Sequence, residues 1–165
     1  MVLLFDTGLI GTLELKNRIV RSATWEGMCD QNGRPTEKLV EYYKTLTEGG
    51  IGLIISGYTY IRPEGKQMPG KMGLYNDSFK EDFIRLTRTV HDAGGKIAIQ
   101  LVHAGGQANE QNSGKRAVAP SAVKTDAFPQ VPAELTIPEI ESIADAFSQA
   151  ARRAMKWGFD QRFPF

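Results

Sequence analysis

The segment Gly49–Ser56, with the sequence GGIGLIIS, decides the fold class. A glycine pair ends a stretch in which Leu39, Tyr43 and Leu46 recur at helical spacing, and four aliphatic residues follow within five positions. A continuous apolar run directly after a helix is typical of a parallel strand that is covered on both faces. The same order of helix, glycine pair and strand recurs at Gly94–Leu101, with the sequence GGKIAIQL. We therefore predict repeated βα units and a parallel sheet with right-handed crossovers.

Short sequence patterns predict the elements that come before these repeated units. Two β-prone runs, Val2–Phe5 and Gly11–Leu15, predict a small N-terminal hairpin, and Ile19 and Val20 mark the centre of the first strand of the sheet. Pro35 and Thr36 come directly before the first helix, where a proline is favoured at the start.

Two capping boxes predict where the later helices begin. Ser78 with Glu81 and Thr136 with Glu139 have the spacing in which each side chain satisfies a backbone N–H group. The last helix has an apolar face formed by Ile140, Ile143, Phe147, Ala151 and Ala154. A fourth strand is expected to start at Gly158–Asp160, and the QRFPF that follows is a poor interior strand because proline cannot donate to the ladder.

Length and composition limit the possible function classes. The chain has 165 residues, 20 basic and 19 acidic side chains, and one cysteine, Cys29. The balanced charge gives no electrostatic basis for binding nucleic acid or an anionic membrane, and one cysteine excludes an internal disulfide. The longest apolar runs are far shorter than the roughly 20 residues that a membrane span needs. We expect a soluble cytoplasmic protein, without a secretory signal or a metal site.

Two α/β architectures fit the repeated units, a doubly wound nucleotide-binding fold and a TIM barrel. The doubly wound fold would carry a G-x-G-x-x-G turn after its first strand, where this sequence has SATWEGM. Polar residues instead lie at the ends of the strands, at Ser22–Thr24, Ser56–Thr59 and Gln100–His103. In a barrel these ends gather on one face, where the active site is built. The placement favours a barrel, although three units and the start of a fourth are too few for a closed one of about 250 residues.

Five segments of the sequence resemble the old yellow enzyme family of NADH:flavin oxidoreductases, or ene-reductases. In chain order they are LKNRIVRSAT (15–24), GGIGLIISG (49–57), AGGKIAIQLVHAGG (93–106), VAPSA (118–122) and LTIPEIESIADAFSQAARRAMKWGFD (135–160). The resemblance implies that residues 1–165 are the N-terminal part of one FMN-binding TIM barrel. It also implies that NADH or NADPH reduces the FMN, which then reduces an activated alkene by hydride transfer. The expected structure is an incomplete barrel of about three to four βα units with an N-terminal hairpin.

The resemblance assigns residues to the cofactor site. Gln100 takes the position of a glutamine that hydrogen-bonds the pyrimidine edge of the flavin, and such donors stabilise the negative charge of the reduced ring. An amide within an apolar strand needs some partner, because burying it unpaired costs roughly 1–3 kcal/mol. Ser22, Ala23 and Thr24 form the turn that lies against the flavin. Tyr58 stands near the ring system, where relatives commonly have alanine or glycine.

The C-terminal residues depart from the family pattern. The family segment that carries a substrate-binding histidine pair starts with GFD, and here Gly158–Asp160 are followed by QRFPF. The resemblance also places a flavin-contacting arginine and the phosphate-binding loops after later strands. We therefore expect a chain truncated near the fourth strand, which by itself binds FMN weakly or not at all and does not turn over. No catalytic residue is assigned.

Two other hypotheses remain open. A half-barrel module without catalytic activity would bury its open sheet edge against a second copy, because an exposed apolar edge is a template for strand pairing. This interpretation predicts a homo-oligomer. A different barrel enzyme, such as a lyase or hydrolase, would use Glu26 and His103 for acid–base chemistry. A single histidine at a strand end more commonly has a structural role, which is the interpretation that we favour for His103.

Overall fold

The computed structural model describes the backbone of residues 1–126 and 130–164. It begins with a hairpin in which β1 (Gly8–Ile10) pairs antiparallel with β2 (Leu13–Leu15). The prediction of a hairpin is confirmed, but placing its first strand at Val2–Phe5 was wrong. Asp6 closes a turn there, because its backbone N–H donates to the Leu3 carbonyl over 3.2 Å and its carboxylate accepts from the Leu3 N–H over 2.7 Å. The strand therefore starts only after this turn.

The βα units follow the hairpin. Their strands and helices, in chain order, are β3 (Val20–Arg21), α1 (Glu37–Glu48), β4 (Leu53–Tyr60), β5 (Met72–Gly73), α2 (Lys80–Asp92), β6 (Ile97–Val102), α3 (Glu110–Ser113), β7 (Val118–Ala119), β8 (Ala133–Glu134), α4 (Ile137–Lys156) and β9 (Gln161–Pro164). None of the helices within the described ranges is long and apolar enough to cross a membrane.

The main sheet is parallel, as the repeated units predict. Its order is β3-β4-β6-β9, and β5 pairs with the C-terminal end of β4. Val20 lies opposite Leu53 at the start of β4, and Ile54 lies opposite Ile97 of β6. A separate parallel pair joins β7 and β8. The described part of the sheet is open and does not close into a barrel.

The fourth strand is present in spite of its proline. Residues 161–164 pair in parallel with β6, and Pro164 takes the register position of Leu101. Among the described residues β9 has a neighbour on one side only, so it is an edge strand, where proline is tolerated. The expectation that QRFPF would not form an interior strand agrees with this position.

The two faces of the sheet are covered in different ways. One face packs against α1, α2 and α4 and forms the larger core, to which Ile97, Ile99 and Leu101 of β6 contribute. The opposite, concave face has a smaller cluster, in which Leu15 of the hairpin packs against Leu53 and Ala98. The hairpin thus covers the N-terminal ends of the strands on the concave face and leaves their C-terminal ends uncovered by it.

One of the two predicted capping boxes forms. The Glu139 carboxylate accepts from the backbone N–H of Thr136 over 2.7 Å and from its hydroxyl over 2.8 Å, and α4 starts at the next residue. The prediction for Ser78 was wrong, because the side chain of Asn76 caps the preceding single turn by accepting from the Ser78 N–H over 2.9 Å. The Ser78 hydroxyl accepts from Arg34 instead.

The first turn of α4 leaves part of the predicted apolar face exposed. Ala154 is fully buried, and Ile143, Phe147 and Ala151 pack at the margin of the larger core. Ile140, which the helical spacing assigned to the same face, is 40% exposed. The helix therefore packs on the sheet mainly from its second turn onward.

Candidate active site

The structure brings three of the five predicted cofactor residues together. Tyr58 and Gln100 are register partners on β4 and β6, and both side chains are half-buried. A bulge between Ile55 and Tyr58 shifts the register just before this pair. The carbonyl of Thr24 lies against Gly57, directly before Tyr58. A β-bulge such as the one between Ile55 and Tyr58 commonly changes the direction of a side chain at the rim of a barrel.

The Gln100 side chain has no protein partner in the described part of the chain. Its backbone N–H donates to the Ser56 hydroxyl over 3.3 Å, but its amide group makes no hydrogen bond with a described residue. Because side chains alternate along a strand, Gln100 shares the concave face with Ala98, one layer above the cluster that the hairpin covers. The amide that the sequence leaves unexplained is thus available to water or to a ligand.

The turn after β3, whose Thr24 carbonyl lies against Gly57, carries small side chains. Ser22 and Thr24 are exposed and Ala23 is half-buried. The Thr24 hydroxyl donates to the Ser22 carbonyl over 3.1 Å, which fixes the turn. Trp25 follows and donates its indole N–H to the Pro69 carbonyl over 3.2 Å.

A charged network anchors the same turn to β4. Glu26 accepts from Arg21 over 3.0 Å and from the Tyr43 hydroxyl over 2.8 Å, and that hydroxyl in turn accepts from the Gly57 N–H over 3.2 Å. Burial, with a smaller effect of Glu26, raises the pKa of Tyr43 well above its usual value, so its hydroxyl keeps its proton. A Cβ on Gly57 would clash with Glu26 and lie 2.5 Å from the Thr24 carbonyl oxygen, so the close approach requires glycine.

Lys71 is a site residue that the sequence analysis did not identify. It is only 7% exposed, and its ammonium lies 3.9 Å from the ring centre of Tyr58. Burial lowers the pKa of Lys71, and the Glu26 carboxylate acts in the opposite direction. The Tyr58 hydroxyl donates to the Gly65 carbonyl, which holds the ring in place. The sequence signal was a lysine enclosed by glycines, in GKMG (70–73) just before β5.

Glu26 and His103 are not joined, which is evidence against the lyase or hydrolase hypothesis. Glu26 is occupied by Arg21 and Tyr43, whereas the charges that act on His103 are those of Glu64 and Arg62. Burial lowers the pKa of His103. Its Nδ1 accepts from the Gly105 N–H over 3.0 Å, and its buried Nε2 has no partner among the described residues. No hydrogen bond or ion pair connects the two side chains that acid–base catalysis would need to combine.

Comparison with known proteins identifies the family. The sequence model of the NADH:flavin oxidoreductase / NADH oxidase family matches residues 4–161. The chain belongs to this family. It is 37% identical over 159 residues to an NADH oxidase of Thermoanaerobacter brockii and 38% identical over 157 residues to an NADPH dehydrogenase of Clostridium acetobutylicum. These alignments cover 95% of this chain, but 24% and 46% of the two relatives.

The fold of this chain is shared with solved structures. An old yellow enzyme homologue from Zymomonas mobilis superposes with a TM-score of 0.90 at 35% identity, over 98% of this chain and 47% of that protein. The resemblance to old yellow enzymes and the TIM-barrel fold class are thereby confirmed. The chain spans at most about half the length of these relatives, and its described strands form an open α/β half of the barrel.

The chemistry of the site fits one edge of the flavin that the family uses. A glutamine amide offers a donor and an acceptor together, and the pyrimidine edge of a flavin presents carbonyl oxygens and an N–H group in return. The Gln100 amide has neither function engaged by a described residue. The Ser22–Thr24 turn, which contacts β4 through the Thr24 carbonyl, has short side chains that leave its backbone accessible.

Proposed function

We propose that this chain is the N-terminal part of a single FMN-binding barrel, in an NAD(P)H oxidoreductase that reduces activated alkenes by hydride transfer. Family membership supports a flavin and a nicotinamide reductant. The named relatives include an NADH oxidase and an NADPH dehydrogenase, so both reductants belong to the proposal. The observation that carries it is the Gln100 amide, which has no hydrogen-bond partner among the described residues and lies in register with Tyr58 of β4.

Each site residue has a specific role in this proposal. FMN supplies the chemistry that moves a hydride between the nicotinamide and the alkene. Gln100 binds the pyrimidine edge of the ring and stabilises the charge that gathers there on reduction. The Ser22–Thr24 turn after β3 and Tyr58 of β4 orient the ring, because the Thr24 carbonyl lies against Gly57, directly before Tyr58. The Glu26–Tyr43 network holds that turn at a fixed distance from β4.

Flavin titration tests the proposal. We expect FMN and riboflavin to bind this chain weakly and with similar affinity, because the resemblance places phosphate-binding loops after later strands than the four described here. Gln100→Leu should weaken both ligands by roughly 3- to 10-fold, the value of about one hydrogen bond. Gln149→Leu, on the exposed surface of α4, is the matched control and should leave both affinities unchanged. Flavin fluorescence reports the binding.

Two results would contradict this assignment. Equal effects of Gln100→Leu and Gln149→Leu would show that the amide does not bind the flavin. The proposal that the chain alone does not turn over is tested by adding NADH and cyclohexenone to the FMN-saturated chain. Steady NADH oxidation that depends on cyclohexenone would contradict it.

A second candidate function is supported by the open sheet. Within the described ranges β3 and β9 are edge strands, and several apolar side chains of the N-terminal segment and β3 are exposed. A half-barrel module that self-associates and has no catalytic activity would use these edges. The oligomeric state of the flavin-free chain distinguishes it from a chain that acts only within a longer barrel.

A further inference from the structure

Nε2 of His103 is the one buried side-chain nitrogen or oxygen, among the described residues, that has no hydrogen-bond partner. His103 directly follows β6, and its other ring nitrogen, Nδ1, accepts from the Gly105 N–H over 3.0 Å. An imidazole nitrogen that accepts a hydrogen bond carries no proton, so the proton of this ring is on Nε2. The bond to Gly105 therefore exists only while the ring is neutral.

The His103 ring packs directly against the single turn Pro63–Gly65, which follows β4. A Cβ on Gly65 would lie 3.0 Å from Cδ2 of the ring, which is closer than side chains normally pack. The Gly65 carbonyl accepts from two groups, the Ala104 N–H over 3.2 Å and the Tyr58 hydroxyl. The ring of His103 thus supports the turn whose carbonyl holds Tyr58 in place.

The surroundings of His103 favour its neutral form. Burial, the largest effect, lowers the pKa of His103 below its usual value of 6.5. Glu64 raises this pKa and Arg62 lowers it, and these two side chains form an ion pair with each other. The Tyr58 hydroxyl faces the same turn from β4, and it stays protonated because burial raises its pKa. Residues 100–107, which contain His103, include no other titratable side chain. The ring is therefore neutral at pH 7 and gains a second proton only in acid.

A second proton on His103 is incompatible with this arrangement. The new Nδ1–H would point at the Gly105 N–H, so two donors would face each other and the Gly105 N–H would lose its acceptor. A buried donor without an acceptor and a buried cation are both unfavourable, and moving the ring into water removes both costs. Gly65 then loses the ring that packs against it, and the Tyr58 hydroxyl loses its fixed acceptor.

We propose that His103 is a positioning residue for Tyr58 and makes the proposed flavin site pH-sensitive. Neutral His103 holds the Gly65 carbonyl and Tyr58 in the arrangement that binds flavin, and protonated His103 releases them. The inference rests on the proposed function for the identity of the ligand, but the coupling between His103 and Tyr58 needs no flavin. Gln100, the register partner of Tyr58, makes no hydrogen bond with this turn, so acid weakens flavin binding only in part.

Nuclear magnetic resonance of the whole chain, with ¹³C at Cε1 of histidine and at Cε of tyrosine, tests the coupling. The His103 signal is assigned by its loss in His103→Asn, and the Tyr58 signal by its loss in Tyr58→Phe. We expect the two signals to change together with one midpoint below pH 6.5. The asparagine oxygen can replace Nδ1 as the acceptor for Gly105 but does not titrate. The Tyr58 signal of His103→Asn should therefore keep its pH 7 position in acid.

His91→Asn is the matched control, because His91 is the other histidine of the sequence and pairs with Asp160 instead of this turn. The pH-dependent change of Tyr58 should remain in this variant. Riboflavin has no phosphate group that titrates, so it reports the effect on flavin binding. Its affinity for the unsubstituted chain should fall roughly 3- to 10-fold below the midpoint, the value of about one hydrogen bond. In His103→Asn it should stay constant. Circular dichroism verifies that each protein remains folded over the pH range.

Several outcomes would overturn the proposal. Titration of His103 without a change in Tyr58 would show that the two residues are not coupled. A Tyr58 transition that persists in His103→Asn would show that another group causes it. Unfolding before His103 gains its proton, or a riboflavin affinity that is constant across the midpoint, would exclude a pH-sensitive site. Failure of riboflavin to bind while Tyr58 still follows His103 would count against the proposed function only.

Discussion

At the residue scale, Tyr43 is the side chain on which the geometry of the site depends. Its hydroxyl bridges Glu26 and the Gly57 N–H group, and the residue is completely buried. Tyr43→Phe keeps the ring but removes the bridge, which leaves a buried donor and a carboxylate each with one partner fewer. We expect a loss of about 1–3 kcal/mol in the free energy of unfolding, measured by urea denaturation.

Tyr42→Phe is the control for this prediction. Tyr42 is adjacent in the chain and half-buried, and its hydroxyl makes no hydrogen bond with a described residue. Its substitution should change the free energy of unfolding by less than about 0.5 kcal/mol. If the two variants are equally stable, the bridge to Glu26 and Gly57 does not stabilise the turn after β3.

The sequence identified Gln100 and missed Lys71, and the difference has a physical origin. Gln100 breaks the apolar pattern of its own strand, so the neighbouring residues are enough to mark it. The burial of Lys71 depends on the ring of Tyr58, 13 positions earlier, and on the pairing of β5 with β4. A contact between separate elements leaves no periodic trace in the sequence. The placement of Thr24 against Gly57 was hidden for the same reason.

At the scale of elements, the sequence predicted α1 and α2 from helical spacing that ends at a glycine pair. It predicted β4 and β6 from the continuous apolar runs that follow these pairs. The errors fell where short polar side chains compete for the same backbone groups. Asp6 turns the N-terminal segment away from the predicted strand, and Asn76 takes the capping role that the spacing assigned to Ser78. Sequence spacing does not reveal which of two nearby polar residues makes the bond.

The start of α4 gives a pH-dependent prediction. The hydrogen bonds from Thr136 lower the pKa of Glu139 below its usual value of 4.5. A carboxylate with a lowered pKa in the folded state stabilises the fold above the unfolded pKa, and this contribution is lost as the pH falls through the folded pKa. Glu139→Gln should therefore be less stable than the unsubstituted chain at pH 7.

The difference in the free energy of unfolding between Glu139→Gln and the unsubstituted chain should narrow as the pH falls below 4.5, the usual pKa of this side chain. Urea denaturation at a series of pH values measures it. Glu141→Gln is the control, because Glu141 lies one residue beyond the first turn and makes no ion pair with a described residue. It should change the free energy of unfolding less than Glu139→Gln does. A constant difference between Glu139→Gln and the unsubstituted chain at all pH values would show that the charge of Glu139 does not act at the cap.

The attachment of β9 depends on Asp160. Its carboxylate accepts from the Ile97 N–H over 2.9 Å and lies 2.8 Å from Nε2 of His91 and 3.2 Å from the Lys96 ammonium. The side chain is 12% exposed, so water cannot readily replace these partners. Asp160→Ala should lower the free energy of unfolding by roughly 1.5–3 kcal/mol, the range for a hydrogen bond to a charged group.

Asp92→Ala is the control for Asp160, because Asp92 ends α2 on the surface without an ion pair to a described residue. Its free energy of unfolding should change by less than about 0.5 kcal/mol. Amide hydrogen exchange in β6 and β9 should be faster in Asp160→Ala than in the unsubstituted chain. It should be unchanged in Asp92→Ala. Unchanged exchange there would mean that backbone pairing by itself holds β9 on the sheet.

At the scale of the whole molecule, the open sheet leads to a prediction about self-association. The described strands form four parallel positions, β3-β4-β6-β9, with one free edge at each end. A TIM barrel has eight strands and no edges, so a second copy supplies the number of strands that closure needs. Unpaired backbone groups along an edge strand are a template for such pairing. We therefore predict that the isolated chain forms a homodimer through its sheet edges.

Val20 on β3 allows a direct test of this prediction. It pairs with Leu53 on one side, and its side chain is 41% exposed at the free edge. A charged side chain on an edge strand opposes pairing with another chain, so Val20→Lys should shift the chain from dimer to monomer in sedimentation velocity. Ile140→Lys, at a similarly exposed aliphatic position on α4, places the same charge away from both edges and should remain dimeric. A compact monomer at high concentration in the unsubstituted chain, or equal dissociation in both variants, would show that the edges of the half-barrel do not pair.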